Sequence, residues 1–197
     1  MRSSTLRSGL AAVLILFSSN LLAETRSTVL AGGCFWCVES DFEKIEGVSE
    51  VVSGYSGGFV DNPTYQQVSS GNTGHIEVAR IDFDPAIISY EQILDHFWRT
   101  IDPTDDRGQF CDKGPQYRPA VFYANDEEKR IVERSLDNLK KTRPFKGEIK
   151  VELIAASTFY PAEDYHQDYY KKNPIRYNYY RYACGRDARV EALWGKH

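Results

Sequence analysis

The chain has 197 residues, of which 42% are hydrophobic, so it is long enough to bury one well-formed core and short for two. Its formal net charge is −4 and its pI is near 5.6, with basic and acidic side chains interspersed. This balance gives no reason to expect nucleic acid or an anionic membrane as a partner. We therefore expect one folded domain.

The first residues differ in character from the rest. Arg2 and Arg7 precede a short apolar run at 9–17, and a small residue follows a polar break before Glu24. This order predicts a secretory signal peptide over residues 1–23 and an exported chain, periplasmic or secreted. The apolar run is too short to span a bilayer comfortably, so no membrane is expected in the mature form. An uncleaved N-terminal anchor is the alternative.

Hydrophobic periodicity and turn residues predict strands and helices along the mature chain. In chain order these are a strand at 27–31, a helix at 35–45, strands at 48–55 and 75–84, a helix at 90–100, a strand at 120–124, a helix at 125–141 and a strand at 149–157. The stretch 62–71 is a loop with one helical turn, and 102–119 is the longest loop. Asn125 is expected to cap its helix, with Glu128 completing a capping box.

Helices that interrupt the strands in this β-α-β-β-α-β-α-β order indicate an α/β fold. The arrangement expected is an α+β two-layer sandwich with a ferredoxin-like split βαβ core and long loops. The tyrosine-rich tail after residue 157 shows no clear period and is predicted to be an irregular C-terminal extension.

One carboxylate lies in an unusual place. In the alternating strand at 75–84, Glu77 shares a row with Ala79, Ile81 and Phe83, on the face more suited to burial. Removal from water disfavours the charged form of a carboxyl group, so Glu77 could keep its proton near neutral pH and act as a general acid. The alternative is an edge-strand glutamate that reaches solvent.

Cys34 follows Gly32-Gly33 and immediately precedes a predicted helix. A thiol at a helix N-terminus lies near the positive end of the helix dipole, which favours the thiolate and therefore a nucleophile. The alternative is an inert cysteine buried in the core. Cys37 stands three residues further on, in a Cys-x-x-Cys pair.

The four cysteines leave other possibilities open. In an exported protein, the ordinary interpretation is two structural disulfides among Cys34, Cys37, Cys111 and Cys184, with three possible pairings. A structural metal site would need a second paired element, which the solitary Cys111 and Cys184 do not supply. No phosphate-binding or dinucleotide motif is present, so no cofactor is expected.

Five motifs resemble, in order and spacing, those of the peptide methionine sulfoxide reductase A family, and the resemblance covers the chain from about residue 29 to its end. They are GCFWCVE (33–39), GYSGG (54–58), PTYQQVSSGNTGHIEV (63–78), DKGPQYR (112–118) and AEDYHQDY (162–169).

The resemblance implies a catalytic role for specific residues. Cys34 would attack the sulfoxide sulfur, and Glu77 would protonate the sulfoxide oxygen. Tyr65 and Tyr117 would hydrogen-bond that oxygen. Asp112 would help to hold the substrate or a bound water.

The same resemblance implies a binding pocket. Phe35 and Trp36 would enclose the S-methyl group of the substrate, and Tyr165 and His166 belong to a motif near the site. The substrate would be methionine S-sulfoxide, free or in oxidised proteins, and neither a metal nor an organic cofactor would take part.

The resolving cysteine stays open at this stage. The sulfenic acid formed on Cys34 must condense with a second thiol, and the resulting disulfide must be reduced from outside by a thioredoxin-like donor. The family commonly has glycine at Cys37 and asparagine at Cys111. Cys37 is favoured by its closeness and Cys184 comes next, since tail cysteines serve this role in many relatives. The protein is expected to be a monomer.

Two other classes of function compete with this prediction. A thiol–disulfide oxidoreductase would use Cys34-x-x-Cys37 alone, but the thioredoxin-type layout that usually accompanies this motif is missing downstream. A non-catalytic binding module stapled by disulfides would leave Glu77 and the tyrosines unexplained.

Overall fold

The computed structural model of the chain describes residues 25–196. The predicted signal peptide, residues 1–23, lies outside these residues. Within them no helix is both long and apolar enough to cross a membrane. Eight strands are found along this part of the chain: β1 (Arg26–Ala31), β2 (Val48–Ser56), β3 (Ile76–Phe83), β4 (Gly108–Gln109), β5 (Asp112–Lys113), β6 (Ala120–Tyr123), β7 (Glu152–Ala155) and β8 (Tyr160–Pro161).

The main sheet has the strand order β7-β6-β1-β3-β2-β8. Its four central strands, β6-β1-β3-β2, pair antiparallel, and β7 adds a parallel strand beside β6. Numbered in chain order among themselves, these central strands run 4-1-3-2, with β3 between the two strands that flank the first helix. This is a split βαβ arrangement, so the predicted α/β fold is confirmed.

Helices connect and cover these strands, together with a short 3-10 helix at Pro115–Tyr117. In chain order the α-helices are α1 (Phe35–Phe42), α2 (Tyr65–Ser69), α3 (Tyr90–Trp98), α4 (Asp126–Thr142), α5 (Tyr169–Lys172), α6 (Pro174–Ala183) and α7 (Arg186–Trp194).

Two apolar clusters lie on the two faces of the sheet. The larger cluster joins odd-numbered residues of β3, such as Ala79 and Ile81, to Val38 of α1 and to side chains of α3 and α4. The smaller cluster contains the even-numbered residues Ile76 and Val78. Since successive side chains of a strand point to opposite faces, Glu77 is on the face that α1 covers.

Several predicted elements are shorter than expected. Helix α1 ends at Phe42 instead of residue 45, because the chain turns back through Gly47, whose φ of +94° favours glycine. Strand β7 occupies only the middle of the predicted 149–157. The predicted loop at 102–119 contains the β4–β5 hairpin and the 3-10 helix.

The cap of α4 is only half of the predicted capping box. The Asn125 side chain accepts hydrogen bonds from the backbone N–H groups of Glu127 and Glu128, as expected. The Glu128 carboxylate does not return to Asn125; it accepts from the Ala124 N–H and from Arg26. Because the Glu128 carboxylate pairs with Arg26, it does not accept the reciprocal hydrogen bond from the backbone N–H of Asn125.

The C-terminal extension is not irregular, as the sequence had suggested, but largely helical. Helices α5, α6 and α7 follow one another from residue 169 to 194. Some of its tyrosines contact the first helix through individual ring contacts, which follow no repeating pattern. Tyr169, for example, stacks on Trp36 of α1 with ring centroids 3.7 Å apart.

Candidate active site

A glycine pair delivers Cys34 to the start of α1. Gly33 has a φ of +82°, a left-handed conformation that favours glycine. A Cβ atom on Gly32 would come within 2.9 Å of the Val38 side chain, so α1 packs tightly against this turn. The predicted order of strand, glycine pair, cysteine and helix is confirmed.

Cys34 and Cys37 are both free thiols inside the protein, with 6% and 1% of their surface exposed. Burial raises the pKa of Cys34 well above its ordinary value, and interaction with Cys37 raises it further. The same interaction is the main cause that lowers the pKa of Cys37, to about 7. Burial thus opposes the predicted effect of the helix dipole on Cys34, and within the pair it is the pKa of Cys37 that is lowered.

Glu77 is buried, with 3% of its surface exposed, as the alternation predicted. Its carboxylate accepts a hydrogen bond of 3.1 Å from the backbone N–H of Phe35, the first residue of α1. Burial raises the pKa of Glu77 to about 8, and this hydrogen bond only partly offsets the effect. The free N–H at the helix start thus holds the carboxyl group beside Cys34.

Tyr65 and Tyr117 come together although they lie on different elements. Tyr65 begins α2, whose capping box is complete, and Tyr117 ends the 3-10 helix. Each phenol influences the pKa of the other, so the two side chains are neighbours. Burial and then the neighbouring Glu77 raise the pKa of both phenols, so each stays a neutral donor near the carboxyl group.

Asp112 lies on the opposite side of the thiols, on β5. Its carboxylate accepts a hydrogen bond from the hydroxyl of Tyr180 on α6. Burial raises the pKa of Asp112, and its charge in turn contributes to the raised pKa of Cys34 and of Glu77. The short hairpin β4–β5 therefore brings a second acid to the site.

Cys111 and Cys184 are joined in a disulfide, with Cα atoms 4.9 Å apart. The bond links the residue before Asp112 to the end of α6. Cys184 is thus fixed at the edge of the site instead of lying in a free tail. The two disulfides of the ordinary interpretation are not both formed, since Cys34 and Cys37 are thiols here.

Aromatic rings line the site next to Cys34. Trp36 stacks on Tyr169, and its indole N–H donates a 3.1 Å hydrogen bond to Nδ1 of His166. The His166 ring also lies 5.0 Å from the ring of Phe35 and 4.2 Å from that of Tyr165. Tyr165 is 55% exposed and covers the outer side of this group.

His166 has a free hydrogen-bonding atom. Because Nδ1 accepts from Trp36, the proton of the neutral ring is on Nε2, and this buried atom has no partner within residues 25–196. Burial lowers the pKa of His166, which keeps the ring neutral. The ring offers one donor and no charge.

The structure thus gathers every residue that the sequence suggested for the site, apart from the exposed Tyr165 at its rim. It also adds residues that sequence reasoning missed. Tyr180 holds Asp112, and Glu163 accepts from the Tyr65 N–H and the Tyr55 hydroxyl at 2.9 Å. The high tyrosine content of the tail was the available signal, but it did not say which ring contacts which residue.

Comparisons with known proteins agree with this geometry. The family model described as peptide methionine sulfoxide reductase matches residues 26–197. Peptide methionine sulfoxide reductase MsrA/MsrB of Vibrio cholerae is 59% identical over 173 residues, which are 88% of this chain and 46% of that protein. The chain therefore spans about half the length of this relative.

Two further proteins match along most of both chains. Peptide methionine sulfoxide reductase MsrA 2 of Staphylococcus aureus is 50% identical over 84% of this chain and 94% of its own. The crystal structure of reduced Mxr1 from Saccharomyces cerevisiae has a TM-score of 0.72 and 29% identity, covering 78% of this chain and 88% of that one. With the family model matched along the whole described fold, this chain belongs to the peptide methionine sulfoxide reductase family.

Proposed function

We propose that the chain reduces methionine S-sulfoxide, free or in oxidised proteins, with Cys34 as the nucleophile and Glu77 as the proton donor. One observation carries the proposal. The backbone N–H of Phe35, the residue after Cys34, holds the Glu77 carboxyl group in a site from which water is largely excluded. A soft nucleophile and a protonated acid are what sulfoxide reduction requires.

The first step transfers oxygen from the substrate to the enzyme. The Cys34 sulfur attacks the sulfoxide sulfur while Glu77 protonates the oxygen, and the proton that leaves Cys34 replaces the one lent by Glu77. The sulfoxide sulfur gains two electrons and the Cys34 sulfur loses two. The S–S bond formed by the attack breaks as the oxygen moves to the Cys34 sulfur, so methionine departs and Cys34 becomes a sulfenic acid.

The remaining site residues orient the substrate. The hydroxyl groups of Tyr65 and Tyr117 stand near Glu77 and can donate to the sulfoxide oxygen. Phe35 and Trp36 supply an apolar slot for the S-methyl group. The unpartnered Nε2–H of His166 can donate to a carbonyl of the substrate.

A direct assay tests the activity. The purified protein is incubated with dithiothreitol and either epimer of methionine sulfoxide, and methionine is measured. Methionine should form from the S epimer. The rival function, thiol–disulfide exchange, predicts instead rapid reduction of a protein disulfide and no methionine; burial of Cys34 argues against it, because its sulfur must reach the partner disulfide.

We further propose that Cys37 resolves the sulfenic acid. Its pKa is lowered to about 7, which favours the thiolate, and its side chain packs in the same buried cluster as that of Cys34, one helical turn away. The Cys37 thiolate attacks the Cys34 sulfur, the S–S bond forms, and hydroxide leaves and takes a proton from solvent as water. Cys184, already bonded to Cys111, is the alternative resolver only once that bond opens.

Peptide mapping after one equivalent of sulfoxide, with free thiols alkylated, should find a bond between Cys34 and Cys37. The Cys37→Ser variant should complete its first turnover and stop, because its sulfenic acid lacks the resolving thiol. In a matched Cys184→Ser variant, the bond between Cys34 and Cys37 should still form after one equivalent of sulfoxide. A bond only between Cys34 and Cys184, together with normal turnover of Cys37→Ser, would identify Cys184 as the resolver.

The external reductant we propose is a thioredoxin-like dithiol, acting on a monomeric enzyme. The disulfide formed in each cycle must return to two thiols, and dithiol exchange accomplishes this without a cofactor. Of the cysteine sites, Cys111 is exposed, whereas Cys34 and Cys37 are buried. A donor that first reduces the Cys111–Cys184 bond frees the Cys184 thiol, which can attack the Cys34–Cys37 bond. Cys111 then re-forms its bond with Cys184, and the buried pair returns to two thiols.

We also propose that the chain is exported and that residues 1–23 are removed. The basic start and short apolar run at 9–17 support this. Mass spectrometry of protein from the periplasm or the medium should find an N-terminus near Glu24, and deletion of the apolar run should leave the protein in the cytosol. Recovery of only the full-length chain, from the cytosol, would contradict the proposal.

A further inference from the structure

Arg186 is a buried cation that has no carboxylate partner within residues 25–196. It opens α7 with 2% of its surface exposed. Its guanidinium donates to the backbone carbonyls of Thr100 at 2.8 Å and Gly32 at 2.6 Å, and lies 4.4 Å from the centroid of the Phe110 ring. Along the part of the chain that the structure describes, no carboxylate is within 4 Å of it. A buried charge normally has a counter-charge, so the partner of this cation has to be found elsewhere.

The charged groups around Arg186 leave few candidates for that role. Arg181, on α6, is already matched by Asp41 at 2.7 Å and by Asp187 at 2.6 Å. Arg186 also acts on Asp112, on β5, but burial raises the pKa of that carboxyl group overall. Of the acidic groups that raise the pKa of Arg186, Cys37 has the largest effect, ahead of Asp41 and of Cys34.

The guanidinium packs directly against the turn that carries these thiols. It bonds the carbonyl of Gly32, and the position of a Cβ on Gly33 would be 3.5 Å from its Nη2 atom. Of the two thiols, only Cys37 has a lowered pKa, and its surroundings bring this pKa to about 7. After the interaction with Cys34, Arg186 has the largest effect among the groups that lower this pKa, ahead of Arg181, while burial and then Asp41 raise it.

We propose that Arg186 is the counter-charge of the Cys37 thiolate and so a positioning residue that keeps the second sulfur ready to attack. The role deepens the proposed function, since it rests on Cys37 as resolver. The disulfide between Cys111 and Cys184 lies next to this contact in both segments. Phe110, whose ring faces the guanidinium, is the residue before Cys111, and Arg186 is two residues after Cys184. The bridge thus keeps the cation behind the thiol pair.

The test is a titration of Cys37 alone. In a Cys34→Ser background, with the Cys111–Cys184 bond intact, Cys37 is the one free thiol, and the introduced serine keeps a hydroxyl donor beside it. The ultraviolet absorbance of the thiolate is followed against pH, with Cys34→Ser/Cys37→Ser as the blank. Adding the Arg186→Gln substitution should raise the midpoint of the Cys37 titration by about one pH unit or more.

Two variants separate charge from structure. Arg186→Lys, which restores a cation, should return the midpoint of the Cys37 titration towards that of Cys34→Ser alone. Arg189→Gln, one turn further along α7 and paired with the Asp102 carboxylate at 2.7 Å, should leave it unchanged. A parent-like midpoint in Arg186→Gln, or an equal rise in Arg189→Gln, would overturn the proposal.

A second measurement keeps Arg186 in place, in case Arg186→Gln does not fold. The folded pKa of Cys37, about 7, lies below its ordinary value of 9.0, so the thiolate stabilises the fold above pH 9 and this stabilisation is lost as pH falls through 7. The difference between the thermal midpoints of Cys34→Ser and Cys34→Ser/Cys37→Ser should therefore increase, in favour of Cys34→Ser, as pH rises from 7 to 9. A constant difference would refute the counter-charge. Neither measurement uses sulfoxide turnover, so their outcome is independent of the proposed activity.

Discussion

Replacing Cys34 with serine should abolish sulfoxide reduction and leave the protein folded. A hydroxyl group is a far weaker nucleophile than a thiol, and it cannot become a sulfenic acid. We expect the single-turnover rate to fall by roughly 10⁴-fold or more, the scale seen when an enzyme loses its nucleophile. The fold should persist because the substitution removes little volume at the edge of a cluster built mainly of tyrosines.

A variant one helical turn away is the matched control. Cys37→Ser makes the same chemical change in the same buried cluster. In single turnover it should release one equivalent of methionine, whereas Cys34→Ser should release none. Circular dichroism and the thermal midpoint establish that both are folded. A wild-type single-turnover rate in Cys34→Ser would remove Cys34 from the role of nucleophile.

Replacing Glu77 with glutamine should slow reduction by roughly 10²–10⁴-fold, the contribution of a general acid. The amide keeps the shape and can still accept the hydrogen bond from Phe35, but it has no acidic proton to give. With a pKa of about 8, the carboxyl group of the wild type is protonated at neutral pH. The wild-type rate should therefore fall as pH rises through about 8, and the variant should show no such fall.

The same substitution should stabilise the protein in a predictable pH range. The folded pKa of Glu77 is raised above its ordinary value of 4.5, so the folded state holds an extra proton between pH 4.5 and about pH 8. The contribution of Glu77 to the stability of the fold is fully present below that pH range and declines as pH rises through it. Glutamine removes this decline, so the thermal midpoint of Glu77→Gln should exceed that of the wild type most clearly near pH 8.

Glu39 provides a control for burial without catalysis. It is also a buried carboxyl group with a pKa raised by burial, to about 7. Its oxygens accept from the Asp168 N–H and the Ser53 hydroxyl, away from Cys34. Glu39→Gln should keep the alkaline fall in rate. An unchanged pH profile and rate in Glu77→Gln would show that Glu77 serves the structure alone.

Local patterns in the sequence predicted the core of the fold correctly. Alternation along β3 gave both the strand and the burial of Glu77, because a covered face selects apolar side chains at every second position. The glycine pair and the start of α1 were predicted for a similar reason, since Gly33 adopts a backbone conformation that other residues avoid. The helices of the tail were missed, because individual ring contacts, such as Trp36 with Tyr169, stabilise them without a repeating pattern.

The sequence by itself determined the identity of the candidate nucleophile and acid, since motifs and periodicity record which residue types stand at which positions. Only the tertiary structure decided which of the two neighbouring thiols carries a negative charge. Whether Cys34 or Cys37 ionises depends on burial, on the interaction between the two thiols and on Arg186. Desolvation and Coulomb interactions act through space, and they depend on groups that meet only after the C-terminal helices have packed against the first one.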